Sequence, residues 1–106
     1  MNRCFHFALF WLLAGISGLW AGSAHAAGDP AAAIAKLGAC VACHGADGIG
    51  KAPQYPNLQG QKAAYLEKQL KAFRSGERQD PNMSIMAKPL SDADIADLAA
   101  YFEQVE

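Results

Sequence analysis

Five consecutive residues, Cys40-Val41-Ala42-Cys43-His44, constrain this chain more than any other part of it. Cysteines three positions apart lie about one helical turn from each other on the same face, so their sulfurs can reach the two vinyl groups of one haem. The histidine that follows can swing beneath the ring and offer an imidazole nitrogen to the iron. Three other uses of such a pair compete. A Cys40–Cys43 disulfide would close too small a loop to stabilise much, and it leaves His44 without a role. A zinc site wants a second pair of ligands, and the remaining histidines, His6 and His25, fall in an N-terminal leader-like segment. A thioredoxin-like redox pair needs a strand running into the motif, where this chain has an alanine-rich stretch that favours helix. Covalent haem attachment is the reading that uses all three residues.

Attachment of this kind takes place outside the bacterial cytoplasm, and the N-terminus agrees. Met1 to Phe7 carries Arg3 and His6, an apolar run extends from Ala8 to about Ala21, and Ser23-Ala24-His25-Ala26 supplies an Ala-x-Ala site. Residues 1–26 therefore read as a cleavable signal peptide and 27–106 as one mature domain, exported to the periplasm. The apolar run is interrupted by Gly15, Ser17 and Gly18, and it falls short of the roughly 20 residues that span a bilayer. Cys4, Trp11 and Trp20 would leave with the leader, so two cysteines and no tryptophan would remain. The net charge of −1 becomes slightly more negative once Arg3 is gone. No basic stripe is present, which excludes a nucleic-acid binder. A domain of about 80 residues seldom stabilises a core without a disulfide, a metal or a comparable staple. A covalent haem would supply one.

The order of elements reads as all-α. Asp29 is a good N-cap and Pro30 suits the first helical position, which predicts a helix from about Pro30 to Cys40. Gly45, Gly48, Gly50, Pro53, Pro56 and Gly60 interrupt any regular element over 45–60, so this stretch is a long loop with something to wrap, or disordered. Helical period returns over Gln61–Ser75, with Leu66, Leu70 and Phe73 on one face, Glu67 and Lys71 paired at i, i+4, and Gly76 as the terminating residue. Residues 77–90, with Pro81 and Pro89, read as irregular. A last helix begins at Ser91, where Ser91 and Asp94 form a capping box and Ile95, Leu98, Ala99 and Phe102 form an apolar stripe.

Beyond the haem motif, the chain carries His44-Gly45-Ala46-Asp47-Gly48, then Pro56-Asn57-Leu58-Gln59-Gly60-Gln61, then Tyr65-Leu66 with Gln69-Leu70, and finally Leu90-Ser91-Asp92-Ala93-Asp94-Ile95-Ala96-Asp97-Leu98-Ala99-Ala100-Tyr101. This ordered set resembles the class I c-type cytochromes, above all short periplasmic ones of the cytochrome c-553 kind and single halves of the tandem dihaem cytochromes. The resemblance implies N- and C-terminal helices that cross, with a middle helix and loops closing over one covalent haem c and its iron. It implies Cys40 and Cys43 as thioether positions and His44 as the proximal axial ligand. It places the distal methionine eight residues ahead of Ser91, at Met83, with Met86 as the alternative. It also implies that Pro53, nine residues past His44, offers its carbonyl to the other imidazole nitrogen. Leu58, Leu66, Leu70 and Ile85 are candidates to line the haem pocket. At the helix crossing the family often has an aromatic where Ile34, Ala35 and Leu37 stand, so Tyr101 and Phe102 are expected to supply the bulk.

The function expected is a soluble periplasmic electron carrier with His/Met ligation, one that cycles between ferric and ferrous iron and meets redox partner proteins transiently near the haem edge. No nucleophile–base pair, carboxylate dyad or phosphate loop accompanies the motif, so an independent enzymatic role has no visible residues. Two other readings stay open: an open-site haem protein that binds a small gas, and a haem subunit of a larger dehydrogenase or oxidase. Lys68, Lys71 and Arg74 share a face of the middle helix and read as a solvated face rather than a docking patch.

Overall fold

The computed structural model describes residues 27–106, so the expected leader, with Cys4 and both tryptophans, lies outside the described residues. Four helices build the domain: α1 (Ile34–His44), α2 (Ala63–Ser75), α3 (Met83–Ala87) and α4 (Asp92–Gln104). Among the described residues there is no strand, and no helix is long and apolar enough to cross a membrane.

The core lies where α1 and α2 meet α4. Ala33, Leu37, Leu66, Leu98, Ala99 and Phe102 are buried together, and Cys40, Val41, Leu58 and Tyr101 pack around them. Ala33, just ahead of α1, and Leu37, one turn on, are buried in this cluster. Ile34 and Ala35 instead face outward, with Ile34 69% exposed. Of the side chains expected at the crossing, Leu37 and Phe102 are buried and Tyr101 is half-buried. The Tyr101 and Phe102 rings meet edge to face, 5.1 Å apart.

The start of α1 departs from the expected boundary. Asp29 Oδ1 accepts from the Ala31 amide at 2.9 Å, as an N-cap should. The first turn is nevertheless closed by i→i+3 bonds, Ala32 to Asp29 and Ile34 to Ala31, before regular α-helix sets in at Ile34. The helix then runs four residues past Cys40, through the whole Cys-x-x-Cys-His motif. Ahead of it the chain is strapped to α4. The Asp29 amide donates to Asp97 Oδ1 at 2.7 Å, and a Cβ on Gly28 would come within 2.0 Å of the Ala96 carbonyl oxygen.

Helix α2 lacks a side-chain cap of its own, and α4 supplies a substitute: Glu103 Oε1 accepts from the Ala63 amide at 2.9 Å. A carboxylate there satisfies an orphan N–H and complements the helix dipole. At the other end Gly76 takes the left-handed conformation, and the expected Glu67–Lys71 pair forms at 3.5 Å. Arg74 reaches from α2 to the start of α4, donating to the Leu90 carbonyl at 2.9 Å and pairing with Asp92. Ser91 caps α4 with the reciprocal Ser91–Asp94 bonds of a capping box, and Ile95, Leu98, Ala99 and Phe102 are all buried.

The irregular stretch expected over 77–90 contains a helix instead. Asp80 Oδ1 accepts from the Asn82 and Met83 amides, at 2.9 and 2.8 Å. Pro81, lacking an N–H, sits at the first position, where none is needed. The resulting turn carries α3.

Candidate functional site

Helix α1 ends on its chemistry. Cys40 and Cys43 stand three residues apart near its C-terminus, both half-buried and both free thiols. Burial pushes the Cys40 thiol up from its ordinary value, and the neighbouring Cys43 adds to the shift. His44, the last residue of the helix, is 7% exposed. Its Nδ1 lies 2.8 Å from the Pro56 carbonyl oxygen. A carbonyl can only accept, so Nδ1 carries a proton, and in the neutral imidazole Nε2 then keeps its lone pair. That is the tautomer in which Nε2 can ligate a metal.

The partner of His44 is thus Pro56 and not Pro53. The loop explains the shift. The Tyr55 amide bonds back to Ala52, so Pro53 lies inside a turn that ends just ahead of Pro56. The Leu58 and Gln59 amides both donate to the Gly48 carbonyl, at 2.7 and 3.0 Å, and draw the chain at Pro56 in toward the histidine. The Lys51 amide bonds to the Cys43 carbonyl at 2.9 Å. Asn57 Oδ1 accepts from the Gly50 amide at 2.8 Å. The 45–60 segment is therefore an ordered wrap around the end of α1. Gly48 is its pivot: φ is +73°, and a Cβ would lie 2.5 Å from the Gln59 nitrogen.

The other expected residues divide. Leu66 is buried in the core, Leu58 packs against it, and Leu70 is half-buried on α2. Ile85, on α3, is 68% exposed. Met83 opens α3 and is half-buried, whereas Met86 is 45% exposed. Of the three cations on α2, Lys71 is paired with Glu67 and Arg74 with Asp92, leaving Lys68 toward solvent. Two residues that bear on the site are not read from the sequence, Pro56 as the histidine's partner and Asp80 as the acceptor for the Asn82 and Met83 amides where α3 begins. The Asp80-Pro81 pair was the available signal for the second.

Residues 29–106 match the family model described as Cytochrome c. The chain belongs to the cytochrome c family. It is 58% identical over 83 residues to cytochrome c-554(548) of Halomonas halodenitrificans, a match covering 76% of this chain and all of that one. It is 50% identical over 91 residues to cytochrome c4 of Pseudomonas aeruginosa, covering 86% of this chain and 43% of the relative. A crystal structure of reduced cytochrome c4 from Pseudomonas stutzeri superposes with a TM-score of 0.70 at 42% identity, covering 76% of this chain and 47% of that one. The chain therefore spans the whole of the cytochrome c-554(548) relative and less than half the length of the cytochrome c4 proteins it matches.

Membership brings the class I all-α cytochrome fold, a covalently bound haem c with its iron, and the role of electron carrier. The residues present fit that group. Two free thiols sit one turn apart on α1, and the imidazole beside them is buried in the metal-binding tautomer, its orientation held by Pro56.

Proposed function

We propose that this cytochrome c is an exported, periplasmic electron carrier, with haem joined to Cys40 and Cys43 and iron held between His44 and Met83. The carrying observation is the His44 ring, buried and fixed through Nδ1 by the Pro56 carbonyl. When bound, the haem supplies a one-electron couple between ferric and ferrous iron.

The chain's own residues set the terms of that couple. The Pro56 carbonyl keeps the proton on Nδ1, fixes the plane of the ring and makes Nε2 a stronger base. The thioether of Met83 is a soft donor that favours ferrous iron, raises the potential and shuts out exogenous ligands. Leu58 and Leu66 contribute apolar, low-dielectric surroundings. Met86, more exposed than Met83, is the sulfur left unused. Redox partners meet the protein through small, transient contacts near the haem edge. Export rests on the leader-like residues 1–26, and the family match, which begins at residue 29, supports a mature domain over 27–106.

Spectra of the purified protein test the assignment. Methionine ligation gives the ferric form a weak long-wavelength sulfur-to-iron charge-transfer band. Met83→Ala removes this band, lowers the potential and lets the ferrous protein bind carbon monoxide, while Met86→Ala leaves all three unchanged. The opposite pattern moves the ligand to Met86. A wild-type protein without the band that binds carbon monoxide readily is an open-site haem protein.

A further inference from the structure

The last residue of α3, Ala87, is fully buried, but no residue at the N-terminal end of that helix is. A helix of five residues does not hold itself together. Something else must fix the backbone at Met83. Asp80 Oδ1 accepts from the amides of Asn82 and Met83, at 2.9 and 2.8 Å. The Asp80 amide donates to Ser84 Oγ at 3.1 Å, and the Ser84 amide returns a bond to the Asp80 carbonyl at 3.1 Å. Four hydrogen bonds between Asp80 and the residues just after it thus close a clasp around Met83, and one of them ends on the methionine's own amide.

We infer that Asp80 is a positioning residue for the axial methionine: its carboxylate clasps the Asn82 and Met83 amides and so holds the Met83 thioether at the iron. The inference rests on Met83 as the sixth ligand. The chain places the clasp where a loss is felt locally. Asp80 is exposed and contributes nothing to the buried core, so removing its side chain frees the start of α3 without opening the α1–α2–α4 packing. The effect of losing a cap is of the order of fivefold in the population of the released turn.

The experiment compares Asp80→Ala, Asp80→Asn and Ser91→Ala with the wild-type haem-loaded protein. Asn caps as well as Asp, and Ser91 caps a different helix, α4, through bonds with Asp94. In Asp80→Ala the charge-transfer band is lost on heating well before the helical circular dichroism, and the ferrous protein binds carbon monoxide roughly fivefold faster. Asp80→Asn restores both properties. Ser91→Ala melts earlier as a whole, but its band and its helices are lost together, as in the wild type. The inference is overturned if Asp80→Ala keeps band loss and helix loss coincident with unchanged carbon monoxide binding, or if Asp80→Asn behaves like the alanine variant. Met83→Ala separates the two levels. If that variant keeps the band, the ligand assignment fails; if it loses the band while Asp80→Ala behaves as wild type, only the role of Asp80 falls.

Discussion

Tyr101 on α4 donates its hydroxyl proton to the Ala46 carbonyl, 2.6 Å away, and so ties the last helix to the loop that follows His44. The bond joins residues far apart in the chain, at the point where the wrap around α1 begins. Tyr101→Phe keeps the ring and its edge-to-face contact with Phe102 but removes this donor. It is expected to cost about 1 kcal/mol, read as a lower melting temperature. The charge-transfer band should survive at room temperature, because the substitution leaves the bonds from the Asn82 and Met83 amides to Asp80 in place.

Leu98 is 1% exposed at the centre of the cluster shared by α1, α2 and α4. Truncating a fully buried leucine removes its transfer energy and leaves a cavity. Leu98→Ala should therefore destabilise the protein by about 2–5 kcal/mol. Chemical denaturation of the haem-loaded protein measures it. A loss below about 1 kcal/mol would mean that the helices close over the gap.

Gly48 needs both its left-handed backbone and its missing side chain, since a Cβ would strike the Gln59 nitrogen. Gly48→Ala must disturb the carbonyl that accepts from Leu58 and Gln59. Strain of this kind costs about 1–3 kcal/mol. Faster amide hydrogen exchange at Leu58 and Gln59, with α4 amides unchanged, would locate the damage in the loop.

The Ser91 backbone amide, with help from the Ser91 hydroxyl and then Lys36, holds the Asp94 carboxyl below the usual aspartate range. A depressed folded value means that this stabilisation is fully present above the unfolded value, about pH 3.9, and is lost as pH falls through the folded one. The melting temperature should thus decline on acidification below about pH 4. In Asp94→Asn that part of the decline should be missing. An unchanged acid limb in the variant would show that other carboxylates set it.

Much of this was legible in the residues because it depends on short-range chemistry. Ser91 and Asp94 announce the start of α4, Gly76 the end of α2, and the stripe Ile95–Leu98–Ala99–Phe102 the buried face, each within a turn or two of chain. The family-level reading of the fold and of the haem came from the same motifs. That Pro56, in place of the expected Pro53, meets the histidine is not legible in the residues. It depends on how the turns at Ala52–Tyr55 and Gly48–Gln59 fold the loop back, and residue counting carries none of that. Asp80-Pro81 is the same cap-and-proline pair that marks the first helix at Asp29-Pro30. With Pro89 close behind it, however, the segment is too short to show a period, and its prolines read as breakers rather than as a start. The offset of α1 has a related cause, since capping fixes where a turn begins but not whether that turn closes with i→i+3 or i→i+4 bonds.

The close approach of Gly28 to the Ala96 carbonyl, with Asp29 bonded to Asp97, makes the chain just ahead of α1 a fixed point on α4. A probe attached at these residues would sit against one known helix. A spin label or fluorophore carried there would report distance to the metal from a defined origin.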